Sequence, residues 1–317
     1  MSVPSFGSFL SRTGGSVVGK RDEVYADVPL GVIPAEPNAP VRASTEADVT
    51  APVAVRFEPP QGIAPEQVGW LRFADLKGSD LAAALIGLAV DRQISIERHE
   101  EPRRVGKPKT TWTFDLHPSA QRPKTFLRGQ IFDAVKEAFP RDLPGVKKQV
   151  AADFSSLRLT VSRDALNRAW YPKIKTGGTF GLGGAKVRSA RGTALRYQLA
   201  GFLEFLATAD GARLRFEEGA DIFSWFLPWA IALGVAKQWA AALEEAAQDL
   251  DDTYASVWAN DLAWMGGLDL TLDGFDLGAF VGDFAGDIGD LAGDLSGGDG
   301  GSFGGDGGGG DGGGGGG

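Results

Sequence analysis

At 317 residues the chain has room for one or two units of roughly 100–200 residues each. Its net charge of −9 belongs to one end: residues 269–317 hold 22 of the 46 glycines and ten aspartates with no Lys or Arg, so they carry −10 and the preceding 268 residues sum to +1. With 43% hydrophobic residues over the whole chain, wholesale disorder is excluded, and zero cysteines exclude a disulfide framework, thiolate metal sites and thiol nucleophiles.

In Met1–Gly19 the apolar residues Phe6, Phe9, Leu10, Val17 and Val18 are broken up by Ser, Gly and Pro, unlike an ordinary signal peptide. Residues 20–52 carry Pro29, Pro34, Pro37, Pro40 and Pro52, which predict an extended stretch with no helix of consequence. Val53, Val55 and Phe57 alternate with Ala54 and Arg56, the pattern of a half-buried strand, ended by Pro59 and Pro60. From Ser79, a candidate N-cap, Leu81, Leu85 and Leu88 take up helical spacing with Asp80 in the first turn. Ile94 and Ile96, then Trp112, Phe114 and Leu116, alternate around a basic connection and predict a hairpin. Leu127, Ile131 and Val135 predict the next helix, and a further one spans about Ser155 to Trp170 with Leu157, Val161 and Leu166 inward.

The glycine-rich string Thr176–Ala185 reads as a flexible connector; it lacks a Gly-Lys-Ser/Thr ending and a preceding apolar strand, so phosphate-loop and dinucleotide motifs both fail. Beyond it, Leu195, Leu199, Phe202 and Leu206 repeat at helical spacing, Arg213–Glu218 fits a short strand, and a helix covers Trp225–Gln248 with Trp229, Leu233, Ala236, Ala240 and Leu243 as an inward stripe. Pro228 predicts that its regular part starts there. The apolar run between Asp221 and Lys237 is 15 residues long, short of the roughly 20 needed to cross a bilayer, so it reads as a buried helix and the chain as soluble, without a transmembrane span. In the tail, Phe280, Phe284, Ile288, Leu291 and Leu295 share a helical row, but each interior glycine costs about 1 kcal/mol relative to alanine. The tail is therefore expected to be disordered alone.

Two candidate sites emerge. Arg103, Arg104, Lys107 and Lys109 in the hairpin connection could neutralise phosphates as the wing of a winged helix does, although the helix preceding the hairpin is poor in base-reading side chains. Phe226, Leu227, Pro228, Trp229 and Leu233 form a candidate packing or interaction motif. No catalytic set, metal site or cofactor is expected: adjacent acids such as Glu217 and Glu218 or Glu244 and Glu245 point different ways, His99 and His117 read as exposed, and the tail aspartates lack EF-hand spacing.

The stretches GKRDEVYADVPLGVIPA (19–35), VAVRFEPPQGIAPEQVGWL (53–71), DLAAALIGLAVDRQISIE (80–97) and RFEEGADIFSWFLPWAIALGVAKQW (215–239), with the glycine-rich end, resemble the YciQ-like predicted bacterial membrane proteins of unknown function. The resemblance implies membrane association and supplies no catalytic residues. Such proteins look like an exported domain, an anchor and a membrane hairpin joined to water-exposed parts. Here the connector stands at the hairpin position, and the chain is expected to correspond to the water-exposed parts.

These readings predict an α+β, mostly helical body with a winged-helix-like hairpin. Its segments are an extended 1–52, a winged-helix-like 53–175, a linker 176–188, a helical 189–262 packing on the first unit, and a Gly/Asp-rich tail 263–317. The predicted function is a non-enzymatic interaction or scaffolding module for a protein partner or membrane-associated complex; the alternative is a winged-helix nucleic-acid binder.

Overall fold

The computed structural model describes residues 21–101, 109–172, 187–209 and 222–247; most of the glycine-rich connector, the Arg213–Glu218 segment and the tail lie outside them. Among the described residues the class is α+β, with eight α-helices and two antiparallel two-stranded sheets.

Prolines shape the start of the chain, as expected. Strand β1 (Glu23–Tyr25) pairs with β2 (Val41–Ala43), Val24 opposite Arg42. The proline-free interval that follows admits a short helix after all, α1 (Glu46–Thr50). Its capping box is reciprocal: Thr45 N–H donates to Asp48 Oδ2 at 2.7 Å, and Asp48 N–H to Thr45 Oγ1 at 3.3 Å. The strand expected at Val53–Phe57 does not form. Alternation needs a partner strand to become a ladder, and here the segment lies against a helix, where Arg56 N–H donates to the Gly201 carbonyl at 3.1 Å. Val55 and Phe57 stay exposed.

A 3-10 turn (Pro65–Gln67) leads into α2 (Val68–Phe73) and α3 (Gly78–Val90). Leu81, Leu85 and Leu88 are buried as predicted, but so are Ala82, Ala83, Ala84, Ile86 and Ala89, so α3 is a central helix without a solvent face. Ser79 is not its cap: the helix starts one residue earlier, and Asp80 at the third position accepts from Lys77 N–H at 2.8 Å. The predicted hairpin forms from β3 (Ile94–Glu101) and β4 (Lys109–Leu116), with Ile96 opposite Phe114. Ile94, Ile96, Trp112 and Phe114 point into the core, and the free edge of β4 is covered where Phe114 N–H donates to the Arg141 carbonyl at 2.9 Å.

Helix α4 (Phe126–Glu137) buries Leu127, Ile131 and Val135 as its spacing predicts. Helix α5 (Leu143–Asn167) starts well before Ser155, because Asp142 caps it by accepting from Gly145 N–H at 2.8 Å and Pro144 suits the first turn. Val146, Val150 and Phe154 extend the inward stripe of Leu157 and Val161, and Ala165 rather than Leu166 completes it. Helix α6 (Ala190–Thr208), capped by Ser189, buries Leu195, Leu199, Phe202 and Leu206.

The last predicted helix is two. Helix α7 (Ile222–Leu233) contains Pro228 in its interior, since burial against α3 outweighs the proline's missing donor. It ends at Gly234, φ +80°, where Val235 N–H reaches the Ala230 carbonyl at 2.8 Å, and α8 (Ala236–Ala247) follows. Helices α3 and α5 end with the same hydrogen-bond pattern but without glycine, placing Arg92 and Ala169 at φ +55°. Replacing Ala169 by glycine relieves the left-handed strain and is expected to raise stability by up to about 1 kcal/mol, read as a higher urea midpoint.

One hydrophobic cluster joins these elements, running from Val68 and Leu71 through α3, the hairpin, α4 and α5 to Phe202, Leu227 and Trp239. Helix α3 lies against both α4 and α7.

Candidate functional site

An open groove of about 890 Å3 lies between residues 57–65, the C-terminal end of α3, the start of α4 and helix α7. The 57–65 wall is rigid by composition. Pro59, Pro60 and Pro65 fix φ, Gly62 turns the chain at φ +75°, and Arg168 at the end of α5 donates to the Gly62 carbonyl at 2.9 Å. Gly201 lets this wall approach α6, because a Cβ there would lie 2.2 Å from the Ala54 carbonyl oxygen. Phe57 then meets Phe205 edge to face, with ring centroids 5.3 Å apart.

Helix α7 supplies the facing wall through Trp225, Phe226, Pro228 and Trp229. Behind it Phe202 acts as a shared support, in edge-to-face contact with Phe226 at 5.2 Å and Trp229 at 5.9 Å. Of the motif singled out in the sequence, Phe226, Pro228 and Trp229 line the groove, whereas Leu227 and Leu233 are buried in the core.

The polar part of the groove was not foreseen. Arg128 on α4 lies across the end of α3, where Gly87 makes room: a Cβ there would come within 2.7 Å of the guanidinium carbon. Arg128 donates to Glu66 Oε2 at 2.8 Å and to Asp91 Oδ2 at 2.6 Å. Burial opposes its charge, yet the two carboxylates hold its pKa above the ordinary arginine value. Glu66 is buried while Asp91 faces solvent, so the ion pair ties the groove floor to the interior. Among the described residues, Glu66 Oε1 and Arg128 Nε have no hydrogen-bond partner.

Deeper in, Asp80 accepts from Gly69 N–H at 2.7 Å and Lys77 N–H at 2.8 Å. Complete burial pushes its pKa up to about 7 against those two donors, and the charge of Glu66 acts in the same direction as burial. Between the ordinary aspartate value near about 4 and the folded value, the folded chain keeps a proton that the unfolded chain has released. This contribution to stability is fully present below about pH 4 and is lost as pH rises through about 7. Urea midpoints are expected to fall over that window in the wild type, and the Asp80→Asn variant is expected to lose this component of the slope.

The other candidate residues do not converge on the groove. Lys109 opens β4 opposite Glu101, while Arg103, Arg104 and Lys107 lie outside the described residues. His99 Nε2 sits 2.7 Å from Thr113 Oγ1, and His117 Nδ1 2.8 Å from Ser119 Oγ, both at exposed positions. Trp239 is wholly buried among Phe205 and Phe226, a packing role.

Among the described residues no helix is long and apolar enough to cross a membrane, and no group of three or more His, Cys, Asp or Glu could hold a metal ion. Comparison with curated proteins and with solved structures gives no match. Residues 176–243, which include α6, α7 and most of α8 and hence one wall of the groove, match the family model described as "Predicted membrane protein (DUF2207) C-terminal domain".

Proposed function

We propose that the chain is a non-enzymatic interaction module, similar to the water-exposed portion of a YciQ-like predicted membrane protein, and that the groove is its binding surface. In this reading a winged-helix-like unit (53–175) and a helical unit (189–262) pack together and share the site. The observation that carries it is the pair of aromatic rings at the groove, Trp225 and Phe57, left 57% and 55% exposed beside a concave, mostly apolar lining. Large rings in water around a preformed hollow are what a binding hot spot offers a partner. A photo-crosslinking residue at position 225 is expected to capture a discrete protein segment, while the same residue at exposed Leu159 on α5 captures none. Equal labelling from both positions would contradict the reading.

For nucleic-acid binding, the burial of α3 leaves the helix before the hairpin without a face to enter a groove, so contacts would centre on the hairpin. That reading expects DNA or RNA affinity falling steeply with salt and weakened by Lys107→Glu with Lys109→Glu. Gel shifts insensitive to salt and to that pair would remove it.

A further inference from the structure

We infer that the groove takes an extended, proline-containing segment of a partner protein that carries a lysine or arginine, an inference that rests on the interaction reading above. The groove walls disfavour strand addition as the binding mode. Pro59, Pro60 and Pro65 interrupt the row of N–H donors along the 57–65 wall, and the other walls are mostly helix, whose backbone groups pair internally. A ligand is then held mainly by side-chain packing. A polyproline II segment needs no backbone ladder, loses little entropy on binding, and presents pyrrolidine rings suited to packing on exposed aromatic rings such as Trp225 and Phe57.

Charge selects the rest. Glu58 and Asp91 line the groove with exposed side chains, and Glu58 forms no ion pair with a described residue. Among the described residues the one cation in the lining, Arg128, is already held between Glu66 and Asp91. These four side chains therefore leave a formal excess of negative charge, which favours a basic ligand residue beside the exposed face of Trp225. The same excess disfavours the chain's own end, where residues 269–317 carry ten aspartates and no Lys or Arg.

The test is fluorescence anisotropy on the full chain with four labelled synthetic peptides of equal length: a proline-rich peptide with two arginines, the same peptide with both arginines replaced by glutamate, an analogue with two arginines and every proline replaced by serine, and a cationic amphipathic helix. The inference expects saturable binding of the first, at least tenfold weaker binding of the second and third, and a tenfold loss for the first peptide in Trp225→Ser and in Glu58→Lys. Both substitutions fall on exposed side chains, and unchanged near-UV circular dichroism confirms an intact fold. Equal binding of the arginine and glutamate peptides overturns it. Binding of the helical peptide alone, sensitive to Trp225→Ser, overturns the inference and leaves the interaction groove standing. Crosslinks from position 225 to the chain's own residues make the occupant intramolecular and overturn it. No peptide binding together with no position-225 crosslinks overturns both readings.

Discussion

Replacing Arg188 with alanine is expected to lower the unfolding free energy by about 3–5 kcal/mol, the range for breaking a buried ion pair from one side. The side chain is 2% exposed and joins three parts of the chain. Its Nε donates to the Leu71 carbonyl at 2.7 Å and a terminal nitrogen donates to the Arg72 carbonyl, so it satisfies orphan carbonyls at the end of α2. Its other terminal nitrogen meets Asp22 Oδ2 at 3.1 Å beside β1, and its backbone N–H donates to Asp22 Oδ1 at 2.8 Å. Alanine takes the guanidinium donor from both carbonyls and leaves that of Leu71 only the longer contact from the Tyr171 hydroxyl at 3.4 Å. One effect runs the other way: burial and the nearby Arg188 charge pull Arg196 down to about 10, and removing Arg188 relieves that repulsion. Asp22 keeps Arg196 at 3.2 Å, so the net loss is expected near the lower end of the range. Lysine at 188 should recover little, because a single ammonium cannot reach three acceptors in a fixed fork. Urea denaturation of the three proteins measures both differences.

Phe202→Ala is expected to cost about 3–5 kcal/mol and also to abolish groove binding. Phe202 is fully buried and supports both Phe226 and Trp229 from behind. Its removal opens a cavity directly under helix α7, so the aromatic wall can sink into the space that the ring leaves. Phe202→Leu retains most of the volume and should cost much less while still weakening binding. A binding loss greater than the unfolded fraction explains is the signature of wall displacement; binding that merely tracks the folded fraction would show that α7 keeps its position without the ring.

Periodicity made α4 and the hairpin legible because each has one buried face and one wetter one, as with Leu127, Ile131 and Val135 or Ile96 opposite Phe114, whereas α6 showed through its large apolar residues although nearly all its sides are buried. It misread α3 as one-faced because alanines carry little hydrophobic signal, although Ala82 and Ala83 are as buried as Leu88. It misplaced the start of α5 because the first turns carry Lys147, Lys148 and Gln149, and the signal sat in the cap Asp142 with Pro144. It joined α7 to α8 across Gly234, the one residue whose positive φ would have marked the break.

The groove was half legible. Phe226, Pro228 and Trp229 stood out as an apolar motif, and RFEPPQG as a recognisable string, but nothing local says that they face each other across a hollow. Arg128, Glu66 and Asp91 meet only through the packing of α4 and of the Pro65–Gln67 turn on α3, and Glu66 is an acidic residue and yet buried, a placement that tertiary pairing creates and composition opposes. Asp80 read as an ordinary first-turn acid; its second donor, Gly69 N–H, comes from another helix.

The segment matched by the family model and the chain before it share one core, with the groove formed where they meet. Native-state hydrogen exchange as a function of urea tests this most directly by comparing amides of α3 with amides of α7. A shared core predicts that both sets open in one transition with the same free energy and urea dependence, and that Phe202→Ala lowers both by the same amount. Slow exchange persisting in α3 while α7 opens separately, with Phe202→Ala affecting only α7, would contradict it.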